Sequence, residues 1–176
     1  MLKKIIIALL VLIAVIVGVG AARGGQFRVE RRIAIKADVA RIHELCGDLE
    51  NWAQWEPWRE DDPTIVVTLG EKTTGVGAHQ SWTGESGDGE LTFTRCDPQA
   101  GITYDMAFID GEHRTQSVAL MNYRTLEPGS VEVSWVIEGE LDMPVIGGYL
   151  AMAFDSMVGP SFERGLSKLK AACEKT

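Results

Sequence analysis

The fold is decided by residues 131–173, which read VEVSWVIEGELDMPVIGGYLAMAFDSMVGPSFERGLSKLKAAC. Within 131–140 the apolar residues alternate with polar ones, which is the pattern of a strand with one buried face. From Leu150 onward the apolar residues recur at spacings of three and four, which predicts a helix with one apolar stripe. The stripe consists of Leu150, Phe154, Met157, Val158, Phe162, Leu166, Leu169 and Cys173. Because Gly159 and Pro160 interrupt this stripe, we expect a kink or a new helix start there.

Six segments upstream of this region also show strand patterns. They are residues 27–36, 65–69, 78–83, 90–96, 102–109 and 114–126. In the first of them Arg31 interrupts an otherwise apolar face. The sequence GESGDG at 84–89 predicts a hairpin turn. Successive strands joined by short turns and followed by a long helix predict an α+β domain, in which a curved antiparallel sheet packs around the C-terminal helix.

The chain between the first and second predicted strands has helical and loop character. Residues 39–45 predict a short helix that follows Asp38. The tryptophan-rich segment NWAQWEPWREDDP occupies 51–63. Pro57 and Pro63 exclude a long helix in this segment, so we expect a brief helix and then a loop.

The N-terminal segment is long and apolar enough to cross a membrane. Residues 5–22 read IIIALLVLIAVIVGVGAA and contain no charge. As a helix they span about 27 Å, close to the thickness of the hydrocarbon core of a bilayer. Lys3 and Lys4 precede the segment, as in a signal peptide or a signal-anchor. We expect an uncleaved transmembrane anchor; cleavage after Ala22 remains the alternative.

The chain therefore divides into an N-terminal anchor or signal sequence, residues 1–25, and a folded domain, residues 26–176. The lysines before the apolar segment favour an N-terminus inside the cell, although several arginines follow the segment. Long domains are translocated largely regardless of their charge. We expect a single-pass protein of the cell membrane with an extracytoplasmic, periplasmic domain, which is secreted or periplasmic if the segment is cleaved.

Composition excludes several other classes of protein. The 176 residues carry a formal net charge of −8, so nucleic acid is not an expected partner. With 45% hydrophobic residues the chain is neither disordered nor a polytopic membrane protein. Three scattered cysteines do not form a disulfide framework. The histidines, His43, His79 and His113, do not have the spacing of a metal site, and we expect neither a metal nor a cofactor.

Three segments make the chain resemble a known family. They are WAQWEPWREDDP at 52–63, GVGAHQSWTGESGDGELTF at 75–93 and GPSFERGLSKLK at 159–170. In their order and spacing they resemble the START-like superfamily, also called SRPBCC, and in particular its polyketide cyclase/dehydrase-like branch. The resemblance covers nearly all of residues 27–175, and the N-terminal apolar segment lies outside it.

The resemblance implies a helix-grip fold, with a seven-stranded curved antiparallel sheet wrapped around the long C-terminal helix and a deep cavity between them. Members of the superfamily bind lipids, sterols, polyketides and other apolar molecules, and some catalyse cyclisation or dehydration. The expected partner is therefore a hydrophobic small molecule or lipid.

Aromatic residues and methionines are the candidate ligand contacts, because flat apolar side chains line pockets for apolar molecules. Trp52, Trp55 and Trp58 recur every three residues, and we expect them near the mouth of the cavity. The other candidates are Trp82, Tyr104, Met106, Phe108 and Trp135 on the inner wall, and Phe154 and Met157 on the helix. The alternative is that each of these residues is ordinary core packing.

The first functional hypothesis is a membrane-tethered domain that binds a hydrophobic small molecule without assigned catalysis. The second is an enzyme of the polyketide cyclase/dehydrase type, for which Tyr104, Tyr123 and His79 are the best acid–base candidates. The third is an envelope protein-interaction module without a ligand, which uses an exposed tryptophan loop. A buried ionisable pair favours the second hypothesis, and a closed core favours the third.

Overall fold

A computed structural model describes residues 2–111 and 113–175. Within these residues seven strands form one antiparallel sheet. The strands are β1 (Gln26–Ile35), β2 (Val66–Leu69), β3 (His79–Thr83), β4 (Asp88–Asp97), β5 (Gly101–Asp110), β6 (His113–Glu127) and β7 (Ser130–Glu140). Every predicted strand is confirmed, and its predicted ends lie within two residues of the observed ones.

The helices complete an α+β architecture. They are α1 (Leu2–Arg23), α2 (Val39–Cys46), a 3₁₀ turn (Leu49–Gln54), α3 (Trp58–Asp61) and α4 (Ile146–Cys173). The predicted helix over 39–45 is α2. The tryptophan-rich segment forms the 3₁₀ turn and α3, and Pro57 and Pro63 lie just outside the two ends of α3.

The order of the strands explains where the long helix packs. The sheet order is β1-β7-β6-β5-β4-β3-β2, so β2 to β7 form a meander and β1 joins it at the far edge. β1 and β7 pair along their whole length, from Gln26 opposite Glu140 to Ile35 opposite Val131. Because β7 leads into α4, this pairing brings α4 alongside β1, its main partner in the sheet.

Arg31, which interrupts the apolar face of β1, fastens α4 to the sheet. Its guanidinium donates to both carboxylate oxygens of Asp155 at 2.8 and 3.0 Å, and to Glu163 at 2.7 Å. These two acids lie on either side of Gly159 in α4, where the absence of a side chain leaves room for the guanidinium. The charge on the inner face is therefore an attachment point for the helix.

The helix continues through Gly159 and Pro160, so the expectation of a new helix start is wrong. α4 is one helix from Ile146 to Cys173 with Pro160 inside it. Proline removes one backbone hydrogen bond and crowds the residue before it. Glycine at that preceding position has no Cβ to clash, and the Arg31 ion pairs hold the turns on both sides against β1. Tertiary contacts thus offset the local break.

Helix α1 stands apart from the core. Its large apolar side chains are exposed along its length, and none of them belongs to the core between sheet and helices. Residues 3–20 are apolar enough and long enough to cross a membrane, a criterion that signal sequences also meet. Only its C-terminal end contacts the domain, at the start of α4. The core is therefore contained in residues 26–175.

Gly165 of α4 lies directly against the core, and this contact is testable. A Cβ at residue 165 would lie 2.7 Å from the ring of Trp135 and 3.1 Å from Pro57. We expect Gly165→Ala to lower the free energy of unfolding by about 1–2 kcal/mol, because overpacking outweighs the roughly 1 kcal/mol gain in helix propensity. Urea unfolding of residues 26–176 measures this change. Ser167→Ala, exposed on the same helix, is the control and should be neutral; equal effects of the two substitutions would contradict the packing argument.

Candidate functional site

The candidate site is the concave face of the sheet, and its covering is uneven. Phe154 of α4 packs on Phe27 of β1 with ring centroids 4.0 Å apart, so the first half of α4 lies level with Phe27. Through the strand register Phe27 belongs to a row across the sheet that contains Gly139, Ser117, Met106, Leu91 and Gln80. The next row, on the side of the Phe27 row that faces away from Tyr104, contains Trp82, Gly89, Phe108 and Thr115. Most of the first row is buried, whereas Trp82 and Phe108 in the second row are partly exposed. We call these two rows the open half, and the rows from Tyr104 to Tyr123 the closed half.

The closed half is filled by aromatic side chains. The ring of Trp135 stacks on Phe162 of α4, with centroids 4.0 Å apart and planes 8° from parallel. Trp55 lies edge-on to Trp135 at 5.4 Å, and Trp52 packs beside both Trp55 and Tyr104. These rings are buried, and the deep cavity implied by the resemblance is not formed between them.

Hydrogen bonds fix three of the buried aromatic side chains in place. The indole N–H of Trp135 donates to the hydroxyl of Tyr104 at 3.0 Å. Trp52 and Trp55 donate to the backbone carbonyls of Cys46 and Leu45 at 2.9 and 3.0 Å. Because buried polar groups need partners, these bonds allow large amphipathic rings to serve as core.

The tryptophan-rich segment is therefore not an exposed loop, and this expectation is corrected. Trp55 has an exposed fraction of 0% and Trp52 of 3%, and both lie in the core rather than at an opening. Trp58 is half-buried against Trp135 and Phe162. The spacing of three directs these side chains toward the same core, and only Trp58 of the three is partly exposed.

The other candidate residues lie in the open half or on the part of α4 that is level with it. Trp82 and Phe108 form an edge-to-face pair at 5.9 Å, and Phe108 is 42% exposed. Trp82 reaches across Gly89, where any side chain would collide with its indole ring. Met106 is half-buried in the neighbouring row, and Met157 of α4 is 65% exposed. In the sheet α4 packs mainly on β1 and β7, so it does not cover Trp82 and Phe108. We call the uncovered region between the first half of α4 and the open half the cleft.

Two buried polar side chains lie on the inner face of the sheet beneath this cleft, and neither was predicted as a ligand contact. Gln80 and Ser117 are both buried, and they belong to the same row as Met106. The Ser117 hydroxyl has no hydrogen-bond partner among the described residues. Strand alternation alone places Ser117 on the inner face, but only the register brings it level with Gln80. The pair provides polar groups beneath an otherwise apolar wall.

Two shallow hollows have volumes of about 400 and 500 Å³. Residues of the convex face make up most of their lining, and Met106 and Ser117 of the inner row also border the first hollow. Charged side chains that alternate with the inner row border them, including Glu90, Arg114, Glu138 and Arg28. Arg114 pairs with Glu90 at 2.5 Å and Arg28 with Glu138 at 2.6 Å. These hollows are open and charged, which does not suit an apolar molecule.

The acid–base candidates are not assembled into a catalytic group. Burial raises the pKa of Tyr104, whose hydroxyl accepts from Trp135 inside the core. Burial and then the neighbouring thiol of Cys46 raise the pKa of Tyr123. His79 faces the convex side, where its Nδ1 lies 3.0 Å from the hydroxyl of Thr92. None of the three therefore belongs to the open half.

The described histidines and cysteines are also separate from the cleft. His43 Nε2 lies 3.6 Å from the Cys96 sulfur, and burial lowers the pKa of His43. Cys46 and Cys173 are buried free thiols at the closed end. The described residues contain no group of three His, Cys, Asp or Glu side chains that could hold a metal, and the His113 side chain lies outside them.

The fold and the cleft define a class: an α+β helix-grip domain with an apolar opening between its sheet and its long helix. Residues 26–174 match the family described as polyketide cyclase / dehydrase and lipid transport, and the chain belongs to that family. Its N-terminal helix lies outside the match. No curated protein matches the chain.

Solved structures share this fold at low sequence identity. A protein from Chromobacterium violaceum is 18% identical with a TM-score of 0.59, covering 85% of this chain and 98% of its own. A protein from Helicobacter pylori is 12% identical with a TM-score of 0.62, covering 84% and 88% respectively. DynU16, from the dynemicin biosynthetic locus, is 13% identical with a TM-score of 0.54, and the match covers 84% of this chain and 47% of DynU16. At these identities the likeness concerns the fold alone.

The acidic residues after the tryptophans, Glu60, Asp61 and Asp62, form ion pairs and hydrogen bonds with neighbouring elements. Lys168 and Arg164 of α4 pair with Glu60 and Asp61 respectively. The Asp62 carboxylate accepts from the Thr64 hydroxyl at 2.5 Å, and from the backbone N–H groups of Thr64 and Ser86 at 2.9 Å. The cluster thus joins α3 to α4 and to the β3–β4 turn beside the cleft.

This attachment predicts a dependence of stability on pH. The hydroxyl of Thr64, the Ser86 side chain and the backbone N–H groups of both residues lower the pKa of Asp62 well below its usual range. The ionised carboxylate therefore stabilises the fold above the unfolded pKa of about 3.9, and this contribution falls as the pH drops from there toward the lower folded value. We expect Asp62→Asn to be less stable than wild type near neutral pH, and the difference to shrink below about pH 4.

Urea unfolding of residues 26–176 at a series of pH values measures this difference. Asp105→Asn, on the convex face, is the control and should leave the pH profile of wild type unchanged. A stability difference for Asp62→Asn that stays constant down to strongly acidic pH would show that ionisation of this carboxylate does not stabilise the turn.

Proposed function

We propose that the protein is a membrane-anchored binding protein that holds a hydrophobic small molecule, lipid-like or polyketide-like, in the cleft between the first half of α4 and the open half of the sheet. The observation that carries this proposal is the Trp82–Phe108 pair, which leaves apolar surface exposed on the inner face of the sheet. Exposed aromatic surface in a concave site is typical of ligand pockets.

The filling of the closed half limits where a ligand fits. Trp52, Trp55 and Trp135 pack against one another, so we assign them to supporting the fold. Trp82, Met106, Phe108, Phe154 and Met157 remain as the proposed ligand contacts. Met157 and Met106 are unbranched and flexible, which suits a wall that adapts to an apolar chain. Gln80 and Ser117 are buried beneath this wall, so we assign no ligand contact to them.

The binding proposal is tested with cis-parinaric acid, a naturally fluorescent fatty acid, and purified residues 26–176. We expect saturable binding, and we expect Phe108→Ala to weaken it by about tenfold, because removing a partly buried phenyl ring costs on the order of 1.4 kcal/mol. Val118→Ala, partly exposed on the convex face, is the matched control and should bind as wild type does. Absence of saturable binding, or equal affinities of all three proteins, would contradict the proposed cleft.

Anchoring by α1 forms the second part of the proposal. Its large apolar side chains are exposed to the surroundings rather than packed in the domain, which is the arrangement of a helix whose partner is lipid. Lys3 and Lys4 precede the apolar segment, and Arg23 ends the helix. We propose that the N-terminus is cytoplasmic and the binding domain periplasmic.

Topology is tested by fusing alkaline phosphatase, which is active only outside the cytoplasm, to the C-terminus of the full chain. We expect an active fusion protein that stays in the membrane fraction and keeps its N-terminal segment. A matched green fluorescent protein fusion exported by the same route should be dark. An inactive phosphatase with a bright fluorescent partner would reverse the orientation, and a shortened, soluble fusion protein would show cleavage.

A further inference from the structure

A second apolar surface lies where α1 meets α4. Residues 143–154 read MPVIGGYLAMAF and contain no charged side chain, whereas Asp142 precedes them and Asp155 follows them. Ile146 is 60% exposed and Met152 is 56% exposed. Met143, Tyr149 and Leu150 are also exposed. We call residues 143–154 the uncharged segment; such a surface on an acidic domain requires a partner other than water.

This segment is packed against the end of α1. Gly20 of α1 contacts Val145 and Tyr149 so closely that a Cβ would lie 2.5 Å from the Val145 carbonyl oxygen. Gly148 in turn lies against the backbone carbonyls of Gly20 and Gly24. The Tyr149 hydroxyl donates to the carbonyl of Ile16 at 2.8 Å. The first turns of α4 are therefore level with the last turns of α1.

The position of α1 decides what this surface meets. If α1 spans the bilayer, as proposed above, Gly20 and Ile16 lie about 3 Å and about 9 Å inside the end of the apolar segment at Ala22. Interfacial helices bury their apolar side chains to a depth of up to about 10 Å below the headgroups. Side chains level with Gly20 and Ile16 therefore enter this interfacial layer. Tyrosine is enriched in that layer because its ring is apolar and its hydroxyl is polar. An uncharged stretch of about 12 residues is too short to span a bilayer and is typical of an interfacial segment.

Electrostatic attraction is not available to hold the domain at the membrane. The chain has a formal net charge of −8, and anionic headgroups repel an acidic surface. Burial of apolar side chains in the interfacial layer does not depend on that charge. The exposed Ile146 and Leu150 provide such side chains one helical turn apart on α4.

We propose that the uncharged segment rests in the interfacial layer of the lipid bilayer beside α1, so that the cleft opens at the membrane surface and takes its ligand from the bilayer. This inference rests on the proposed anchoring by α1. Phe27, level with the cleft, follows the end of α1 at Arg23 by four residues, which span at most about 14 Å of chain. A lipid acyl chain is the class of ligand that such an opening meets first.

The test places single fluorescent labels on the full chain in phosphatidylcholine vesicles that contain a shallow doxyl-labelled lipid as quencher. The labels are attached to Ile146→Cys and Leu150→Cys in a Cys96→Ser background, since Cys46 and Cys173 are buried. Ala171→Cys is the control, because residue 171 is exposed on the same helix about 32 Å beyond residue 150 and is expected to stay in water. Val11→Cys, near the middle of the apolar segment, reports on α1 itself and is measured with a doxyl group deep in the acyl chain.

We expect loss of emission and a blue shift for labels at 146 and 150, and no change at 171. If the label at 11 is quenched and the labels at 146 and 150 are unaffected, as at 171, the bilayer contact is overturned. The anchoring by α1 stays intact in that case. No quenching at 11 would remove the anchoring and this inference together. Self-quenching at 146 that grows with the protein-to-lipid ratio, without quenching by doxyl lipid, would assign the surface to a second copy of the chain and overturn the proposal.

Discussion

The stack of Trp135 on Phe162 joins the sheet to the long helix, and the rest of the arrangement depends on it. With centroids 4.0 Å apart and nearly parallel planes, the two rings leave no space between β7 and the second half of α4. Gly165 allows this approach because a side chain there would meet the indole. Protein interiors are packed as densely as organic crystals, so a region closed in this way has no room for a ligand.

The first half of α4 is held differently. Arg31 ties its end to β1 through Asp155, and its second ion pair, with Glu163, lies at the start of the second half; these are polar contacts rather than an interlocked core. Before Asp155 the helix contacts Phe27 and the end of α1, and several of its apolar side chains have no partner in the domain. A single continuous helix thus closes one half of the concave face and leaves the other half open.

The strands were predictable because period-two alternation is a local property. In β7, Val131, Val133 and Trp135 fall on one face whatever the rest of the chain does. The helix-grip fold followed from element order and from family resemblance. The continuity of α4 through Pro160 did not, because it depends on Arg31, more than a hundred residues away, which holds the turns on both sides of the proline.

The site was only partly predictable from sequence. The same residue type is fully buried at Trp55 and only half-buried beside the exposed Phe108 at Trp82, and the sequence pattern does not separate the two environments. Apolar character shows that a side chain is to be covered, but not whether protein or ligand covers it. The position of Ser117 was not predictable for a related reason. Only the strand register places it in one row with Gln80, across two intervening strands.

The uncharged segment was missed although its sequence signal is plain. Residues 5–22 are long enough to span a bilayer, and length alone distinguishes them. Residues 143–154 are too short to span a bilayer, so length does not distinguish them. Inside a globular domain such a stretch is usually a buried core helix, and here the second half of the same helix is one. What distinguishes the first half is exposure beside α1, as at Ile146, and that is a tertiary property.

The two proposals, anchoring of the domain by α1 and ligand binding in the cleft, are physically connected. A soluble carrier must expose apolar surface to reach a membrane and then shield it in water, which requires a moving lid. A tethered domain does not leave the interface, so an open cleft with Phe108 and Met157 exposed costs less than it would in a protein that diffuses through water. The lipid layer itself can cover the opening. On this argument a tethered domain tolerates an open cleft, and the open half needs to be no deeper than one acyl chain.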